Sequence, residues 1–419
     1  MTRYEFRVRS ANVLFAVLVF GVLAFGAVER WALTVVETSI MLLALAWVVR
    51  RVFRPFPLVW NVFAWPLLAV ALMAVFQSLA GWSVAVYQTD GEALKWTALL
   101  LYFLMWANVF RDESARKRFS LLLTWFGFLT AVLALVQFYS SPDLMYWFRP
   151  APTAQPFGPF VDRNHYAVLM ELILPGALLL AFKRSEKQLL CFVLCGLILA
   201  SIAVCASRAG AAIVAGEVIV VALVTLITGR RFRQSGRELA KVVALLILAL
   251  GLTFAAGTRR LVDRFESLDQ DVNRVEVALV TWDLAWKRPW TGYGLGAFQF
   301  VFPSFAPFDD GHRWNHAHSD PLQFGMEMGL TGFACQIVLI GLLLGRRRSK
   351  EVWLGNVTPL AAVWAHSFVE FPLQIPGLLL VGLAVLAHIP KGSAQQRVSN
   401  RHEPKDAPRD ASSQEVAVS

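Results

Sequence analysis

The chain has little charge for its length. Asp, Glu, Lys and Arg make up 16% of its 419 residues, and 57% of the residues are hydrophobic. An ordinary soluble domain carries about 25% charged residues, so the deficit excludes a soluble enzyme. It predicts an all-α integral membrane protein. The 15 Trp and 31 Phe residues fit that class, because aromatic side chains concentrate where lipid meets water.

Cysteine is also scarce. The four cysteines lie in apolar runs and form no CxxC pair: Cys191, Cys195, Cys205 and Cys335. We interpret them as small apolar side chains. The sequence also lacks an internal repeat, a P-loop and a plausible nucleotide-binding fold. The sequence therefore gives no indication of a nucleotide-driven reaction.

Apolar runs of about 20 residues, the length a helix needs to cross the hydrocarbon, recur along the chain. Twelve candidate spans begin near Ala11, Trp31, Leu58, Leu94, Phe119, His165, Leu189, Ala209, Leu239, Pro321, Trp353 and Gln374. The first is interpreted as an uncleaved helix, because the second follows within a few residues. The predicted organisation is helices one to nine over 1–257, a long loop over 258–320, helices ten to twelve over 321–390, and a disordered tail over 391–419.

The basic residues orient these spans. With a cytoplasmic N-terminus, most of the 39 Lys and Arg residues fall in cytoplasmic connections and the tail, as the positive-inside rule requires. The net charge of +10 therefore reflects topology, and no nucleic-acid partner is implied. The long loop is predicted on the outer face.

Most of the unusual polar side chains fall on that outer face, in four separate segments. QPFGPFVDRNHYA contains Arg163 and His165, the turn ASRAG contains Arg208, the long loop contains Arg274, and HSFVEFPLQIP contains Glu370. We therefore take these five side chains as candidates for substrate binding.

Arg208 lies at the tip of a hairpin of two predicted spans. An arginine at such a depth is costly unless it meets an anion or a water-filled cavity. One interpretation is a guanidinium that binds phosphate, and the alternative is an arginine that reaches out to lipid headgroups. Glu171 and Glu217 lie deeper in their spans. Each is either a partner for an arginine or a buried polar contact between helices.

The long loop has a helical pattern and a glycine-rich turn. RVEVALVTWDLAWKRPW places Val275, Ala278, Leu279 and Trp282 on one face of an amphipathic helix. Such a helix lies along the membrane surface or caps the site. The glycines of TGYGLGAF are predicted to form a tight, irregular turn over the site. They are not a dinucleotide fingerprint, because no βαβ context surrounds them.

The stretch WNHAHSDPLQFGMEMGLTGF brings His316, His318 and Asp320 to the start of an apolar run. Three interpretations stay open: a zinc or manganese site, a histidine general base oriented by Asp320 or a neighbouring carboxylate, and a hydrogen-bonded helix cap. The residue types favour a histidine base among the three, and His316, His318 and Asp320 are all candidate site residues, with no cofactor predicted.

These motifs resemble those of the O-antigen ligase and O-antigen polymerase family of bacterial inner membranes. Four stretches between about Gln155 and Pro376 carry the resemblance: PFGPFVDRNHYAVLMELILPGA, SRAG, RPWTGYGLGAFQFVFP followed by HAHSDPLQFGMEMGLTG, and HSFVEFPLQIP. The chain departs from the family pattern at Ala209, where SRGG is common, and at Ser319, where Asn is frequent.

The resemblance implies a C-type glycosyltransferase fold of about 12 transmembrane helices with one long periplasmic loop. It implies inverting, metal-independent transfer of a glycan from undecaprenyl diphosphate to a sugar hydroxyl, on lipid A-core or another glycan. In that scheme His318 activates the acceptor, and Arg208 and Arg274 hold the diphosphate. The alternatives are a polymerase that extends the glycan on its carrier, an enzyme that transfers to protein, a transporter, and a metal-dependent membrane hydrolase.

Overall fold

A computed structural model describes residues 2–150, 155–182, 188–228, 269–309, 311, 313–345 and 348–390. Regular structure in these ranges is helical, apart from one small antiparallel hairpin that pairs Leu144–Met145 with Arg149–Pro150. The expected all-α architecture is confirmed for the described residues.

The helices before residue 229 follow the first eight predicted spans. They are α1 (Arg3–Leu23), α2 (Arg30–Phe53), α3 (Ala64–Leu79), α4 (Val86–Val109), α5 (Glu113–Ser140), α6 (Arg163–Phe182), α7 (Gln188–Cys205) and α8 (Arg208–Thr228). The predicted ninth span near Leu239, the first part of the predicted loop and the tail from 391 lie outside the described residues.

Several of these helices suit a bilayer by length and composition. Four described helices are long and apolar enough to cross one: Tyr4–Leu23, Arg30–Phe53, Glu113–Ser140 and Arg163–Phe182. Shorter apolar helices cover Ala64–Leu79, Leu189–Cys205, Leu330–Leu344 and Pro376–Ala387. This supports a membrane protein, while the total of about 12 spans stays a prediction.

The second half of the chain contains mostly shorter helices. They are α9 (Asp269–Lys287), α10 (Phe298–Val301), α11 (Asp320–Met328), α12 (Leu330–Leu344), α13 (Lys350–Val352), α14 (Thr358–His366) and α15 (Pro376–Ala387). A π-helical turn, Trp353–Val357, leads into α14, and a 3-10 turn, Pro372–Gln374, precedes α15.

The continuous span predicted from Pro321 is wrong, because the structure divides it between α11 and α12. The helix breaks at Gly329, whose φ is 64°, and the Leu330 N–H donates to the carbonyl of Pro289 at 2.7 Å. A side chain at Gly329 would meet that carbonyl oxygen at 2.2 Å. Hydropathy misses the break since its cause, Pro289, lies 40 positions earlier in the chain.

The predicted loop helix is present as α9, and it has two apolar faces. The predicted face points outward: Val275 is 59% exposed, Leu279 63% and Trp282 47%. The face with Val277 and Leu284 is fully buried, and α9 packs against α11. The 3.6-residue pattern locates the helix correctly but does not show which face meets the protein.

The glycine-rich turn after α9 is held by Gln77, a fully buried side chain of α3. Its Nε2 donates to the carbonyls of Thr291 and Glu327, both at 2.7 Å, and its Oε1 accepts from the Leu295 N–H at 3.0 Å. All three glycines, at positions 292, 294 and 296, have positive φ, which confirms the tight turn. The turn fixes the segment after α9 to α3 and to the end of α11.

Candidate functional site

Glu370 joins four segments that are distant in the sequence. It follows the last turn of α14, and its side chain is 2% exposed. Its Oε1 accepts from Asn164 Nδ2 at 2.6 Å and from Arg274 Nη1 at 2.9 Å. Its Oε2 lies 3.3 Å from His318 Nδ1. We call Asn164, Arg274, His318 and Glu370 the outer cluster.

The electrostatics of the outer cluster keep Glu370 ionised. Burial raises the pKa of this carboxyl group. The hydrogen bond and charge of His318 and the charges of Arg274 and His165 lower it by more, so the pKa falls to about 2. A carboxylate of this kind orients an imidazole and stabilises its protonated form.

His318 is the partly exposed imidazole that Glu370 contacts. Its side chain is 21% exposed, and its φ of 50° is a left-handed conformation that histidine adopts more readily than most residues. The ring meets Phe371 edge-on at 4.8 Å and Trp314 at 5.5 Å. With Nδ1 directed to Glu370, Nε2 is the ring atom left for a substrate.

Three histidines surround the ring of Phe371. His316 stacks on it at 4.4 Å, His165 meets it edge-on at 4.7 Å, and His318 completes the group. Burial and the charges of His318, His165 and Lys95 lower the pKa of His316 to about 3, so this ring is neutral near pH 7. His165 is only 5% exposed. His316 and His165, both predicted site residues, therefore lie beside the outer cluster mainly through the packing of their rings on Phe371.

Asp320 connects two of the segments that carry the outer cluster, those of His318 and Glu370. Its Oδ2 accepts from the Leu373 N–H at 2.8 Å and its Oδ1 from Gln374 Nε2 at 3.1 Å, while its own N–H donates to the Ser367 carbonyl at 2.8 Å. The side chain is fully buried and does not face His318. Glu370 makes the contact with His318 considered above for Asp320, and Asp320 instead holds the 367–374 segment against the start of α11.

A metal site of the kind considered above would need His316, His318 and Asp320 to share one centre. The structure points them to different partners, since His316 Nδ1 lies 3.4 Å from Gln323 Nε2 while His318 and Asp320 make the contacts given above. Within the described ranges, no three His, Cys, Asp or Glu side chains are placed to hold a metal ion. The geometry therefore does not gather these three side chains at one centre.

Arg208 begins α8 directly beside the start of α6. Ser207 caps α8 by accepting the Gly210 N–H at 3.2 Å, and a side chain at Gly210 would lie 2.4 Å from Ala167 Cβ on α6. Close contact between these helices therefore requires Gly210, the glycine of SRAG. The Arg163 carbonyl accepts from Cys205 Sγ at 3.2 Å, so Arg163 joins this corner through its backbone, while the Arg208 side chain is half-buried.

Two residues near the site are not predicted from the sequence. Asn164 lies in one of the four outer segments but is not among the predicted site residues, although it makes the shortest contact with Glu370. In α4, Lys95 Nζ lies 2.6 Å from Glu92, and the Lys95 charge acts on His316. A lysine within an apolar run is a signal of function, and this signal could have identified Lys95.

Comparison with known proteins finds similarity over parts of the chain. Residues 195–337 match the family model described as O-antigen ligase. The chain is also 26% identical, over 335 residues, to the general O-oligosaccharyltransferase of Acinetobacter baylyi (strain ATCC 33305 / BD413 / ADP1). That alignment covers 74% of this chain and 58% of the relative, so the chain spans less than two thirds of that protein. Together these matches confirm the resemblance indicated by the motifs.

Proposed function

We propose, on the premise that the chain belongs to the O-antigen ligase family, that it transfers a glycan from undecaprenyl diphosphate to a hydroxyl acceptor. The acceptor proposed is a sugar of lipid A-core. The observation that carries this proposal is the outer cluster, in which one buried carboxylate holds both an accessible histidine and an arginine. The site belongs, in this proposal, on the periplasmic face of the bacterial inner membrane.

His318 acts as the base in this scheme. The hydrogen bond to Glu370 places the proton on Nδ1 and leaves Nε2 to take the proton of the acceptor hydroxyl as its oxygen attacks the anomeric carbon. The ionised Glu370 stabilises the imidazolium that forms. A single displacement of this kind inverts the anomeric centre.

The arginines act on the leaving group. The bond between the anomeric carbon and the diphosphate oxygen breaks, and its electron pair leaves with undecaprenyl diphosphate. Arg274 is 35% exposed and bonded to Glu370 through Nη1, and a guanidinium has five N–H donors. Arg208 adds a second cation at a helix N-terminus, where the helix dipole also favours an anion. These charges require no metal ion.

An apolar groove between the helices suits a polyprenyl chain. Its lining is almost entirely apolar and includes Trp96, Phe324, Leu339, Leu373 and Leu379. Leu373 follows Glu370 by three residues, so the segment that carries Glu370 also contributes to the lining of the groove. A lipid that lies in it would bring its diphosphate towards the arginines.

Transfer to a protein hydroxyl is the second candidate, and the similarity to a general O-oligosaccharyltransferase favours it. Both reactions use the same base and the same leaving group. The purified protein, supplied with undecaprenyl-diphosphate-linked glycan, should be offered lipid A-core and a serine-rich peptide separately. Glycosylated lipid A-core supports the ligase, and glycosylated peptide supports protein transfer. Longer glycan on the carrier indicates a polymerase, and no product from any acceptor contradicts the proposal.

A further inference from the structure

A second histidine–glutamate pair lies deeper in the bundle, below the outer cluster. His366 Nδ1 lies 2.8 Å from Glu171 Oε1, and both side chains are fully buried. We call these two residues the inner pair. Glu171 belongs to α6, seven residues or about 10 Å beyond Asn164, and His366 is the last residue of α14.

Burial of the inner pair costs free energy, and only some of its polar atoms have hydrogen-bond partners. Within the described residues, neither His366 Nε2 nor Glu171 Oε2 has a hydrogen-bond partner. Apolar side chains of similar volume would often stabilise a bundle as well or better. A pair of this kind therefore needs a reason other than stability, and buried polar contacts characteristically fix one arrangement of the elements that carry them.

The inner pair and the outer cluster are connected through the same two helices. The His366 carbonyl accepts the N–H groups of Val369 and Glu370, both at 3.1 Å, so the end of α14 determines where Glu370 begins. On α6, Asn164 donates to Glu370 Oε1. The turn that carries Glu370 is therefore attached to α6 at two points. One is the inner pair, through the end of α14, and the other is the contact between Asn164 and Glu370.

We propose that Glu171 and His366 are positioning residues that set the distance between Glu370 and His318. Neither touches a substrate, since both are fully buried. The pair fixes α14 against α6, which holds the Glu370 carboxylate where it can orient the His318 ring. This inference rests on the proposed role of His318 as the base.

The test compares His366→Ala with His366→Asn, whose amide nitrogen can take the place of Nδ1. Ser201→Ala is the matched control, because it removes another buried contact of α6, the 2.6 Å bond from Tyr166. His366→Ala should lower kcat about 10- to 100-fold, as misplacement by about 1 Å does, with little change in the KM for the donor. It should also change the pH–rate profile. His366→Asn should restore most of the activity, and Ser201→Ala should alter neither kcat nor the profile.

Hydrogen–deuterium exchange of peptides that cover 367–371 gives a readout independent of activity. These amides should exchange about tenfold faster in His366→Ala, as local opening becomes easier, and at the native rate in His366→Asn and Ser201→Ala. Unchanged kcat in His366→Ala overturns the inference, whatever the exchange shows. If the native protein transfers nothing, or if His318→Asn is fully active, the proposed function fails instead. In that case hydrogen–deuterium exchange alone decides whether the inner pair holds the 367–371 segment. Exchange at the native rate in His366→Ala would reject this role.

Discussion

Two histidine–glutamate pairs occur in the described part of this chain, and they differ in access rather than in chemistry. In the outer pair, His318 Nδ1 lies 3.3 Å from Glu370, and the imidazole is 21% exposed. In the inner pair, His366 Nδ1 lies 2.8 Å from Glu171, and neither side chain is exposed. Of the two imidazoles, the outer one is exposed, so in our proposals the outer pair serves the reaction and the inner pair serves the arrangement of helices.

The two carboxylates differ in the same sense. Glu370 holds three side chains from different segments, one of which is the partly exposed Arg274. Glu171 is bonded to His366, and its second oxygen has no partner among the described residues. A charge at Glu370 can therefore influence substrate groups, whereas a charge at Glu171 acts inside the bundle. Substitutions at the two pairs test this division.

The largest effect should come from the outer histidine. His318→Asn tolerates the positive φ but removes the base, and kcat should fall about 10²- to 10⁴-fold. His366→Asn is the matched variant and should keep most of the activity. The assay is glycan transfer by purified protein, with correct folding checked by gel filtration. Equal loss of activity in the two variants would remove the distinction between the pairs.

Exchanging the carboxylates for amides should separate the pairs further. Glu370→Gln removes the charge that stabilises the imidazolium, and kcat should fall about 10- to 100-fold, as when a group that orients a catalytic side chain is lost. Glu171→Gln keeps an oxygen that can accept from His366 and should cost far less. Initial rates at saturating donor provide the measurement. A larger loss in Glu171→Gln than in Glu370→Gln would reverse our assignment.

Arg274→Lys should act on donor binding. Lysine keeps the charge but loses the planar fork that matches phosphate, so the KM for the lipid diphosphate should rise about tenfold, equivalent to about 1.4 kcal/mol. The control is Arg288→Lys, because Arg288 lies over the Tyr293 ring and has no assigned role in binding. A KM that is unchanged in Arg274→Lys, or raised equally by both substitutions, would argue against a diphosphate contact.

Glu370 should also make the stability of the folded protein depend on pH in the acid range. Its pKa is lowered from 4.5 to about 2 in the folded protein, so its ionised form stabilises the fold fully above about pH 4.5, and this contribution is lost as the pH falls towards 2. Thermal unfolding in detergent should therefore show a steeper loss of Tm between about pH 4.5 and 2.5 in the native protein than in Glu370→Gln. Parallel curves for the two proteins would contradict the lowered pKa.

The smallest effect should come from His316. Its ring is neutral near pH 7, because its pKa is about 3, and it stacks on Phe371. His316→Phe preserves stacking and loses the weak contact with Gln323, so we expect about 1 kcal/mol of stability to be lost with little change in kcat. Chemical denaturation and the transfer assay measure the two quantities. Loss of activity as large as in His318→Asn would place His316 in contact with substrate.

Much of the outer cluster can be predicted from the sequence, because its members are polar residues beside apolar runs. The sequence alone makes His318, Arg274 and Glu370 candidates, and periodicity locates α9. The sequence pattern does not show which side chains contact each other, since Glu171 contacts a histidine 195 positions away. Adjacency to the histidines suggests a substrate role for Asp320, whereas burial and the 372–374 turn give it a different partner.

Hydropathy also does not reveal where a helix breaks or which buried polar side chain holds a turn in place. Gly329 divides a run that is apolar enough to be a single span, because a carbonyl from another segment replaces the helical hydrogen bond there. Gln77 lies in the apolar run of α3, and only the structure shows that it holds the glycine-rich turn. Local composition determines where helices form, but such contacts depend on how distant segments meet.

The most direct test of the account is a double-mutant cycle between His318 and Glu370. If Glu370 acts through His318, the variant with both His318→Asn and Glu370→Gln should be about as active as His318→Asn alone, because residues that act as a unit are not additive. The measurement is kcat for glycan transfer by the native protein, both single variants and the double variant. A double variant whose loss equals the product of the two single losses would show that the two residues act independently, and would contradict the account.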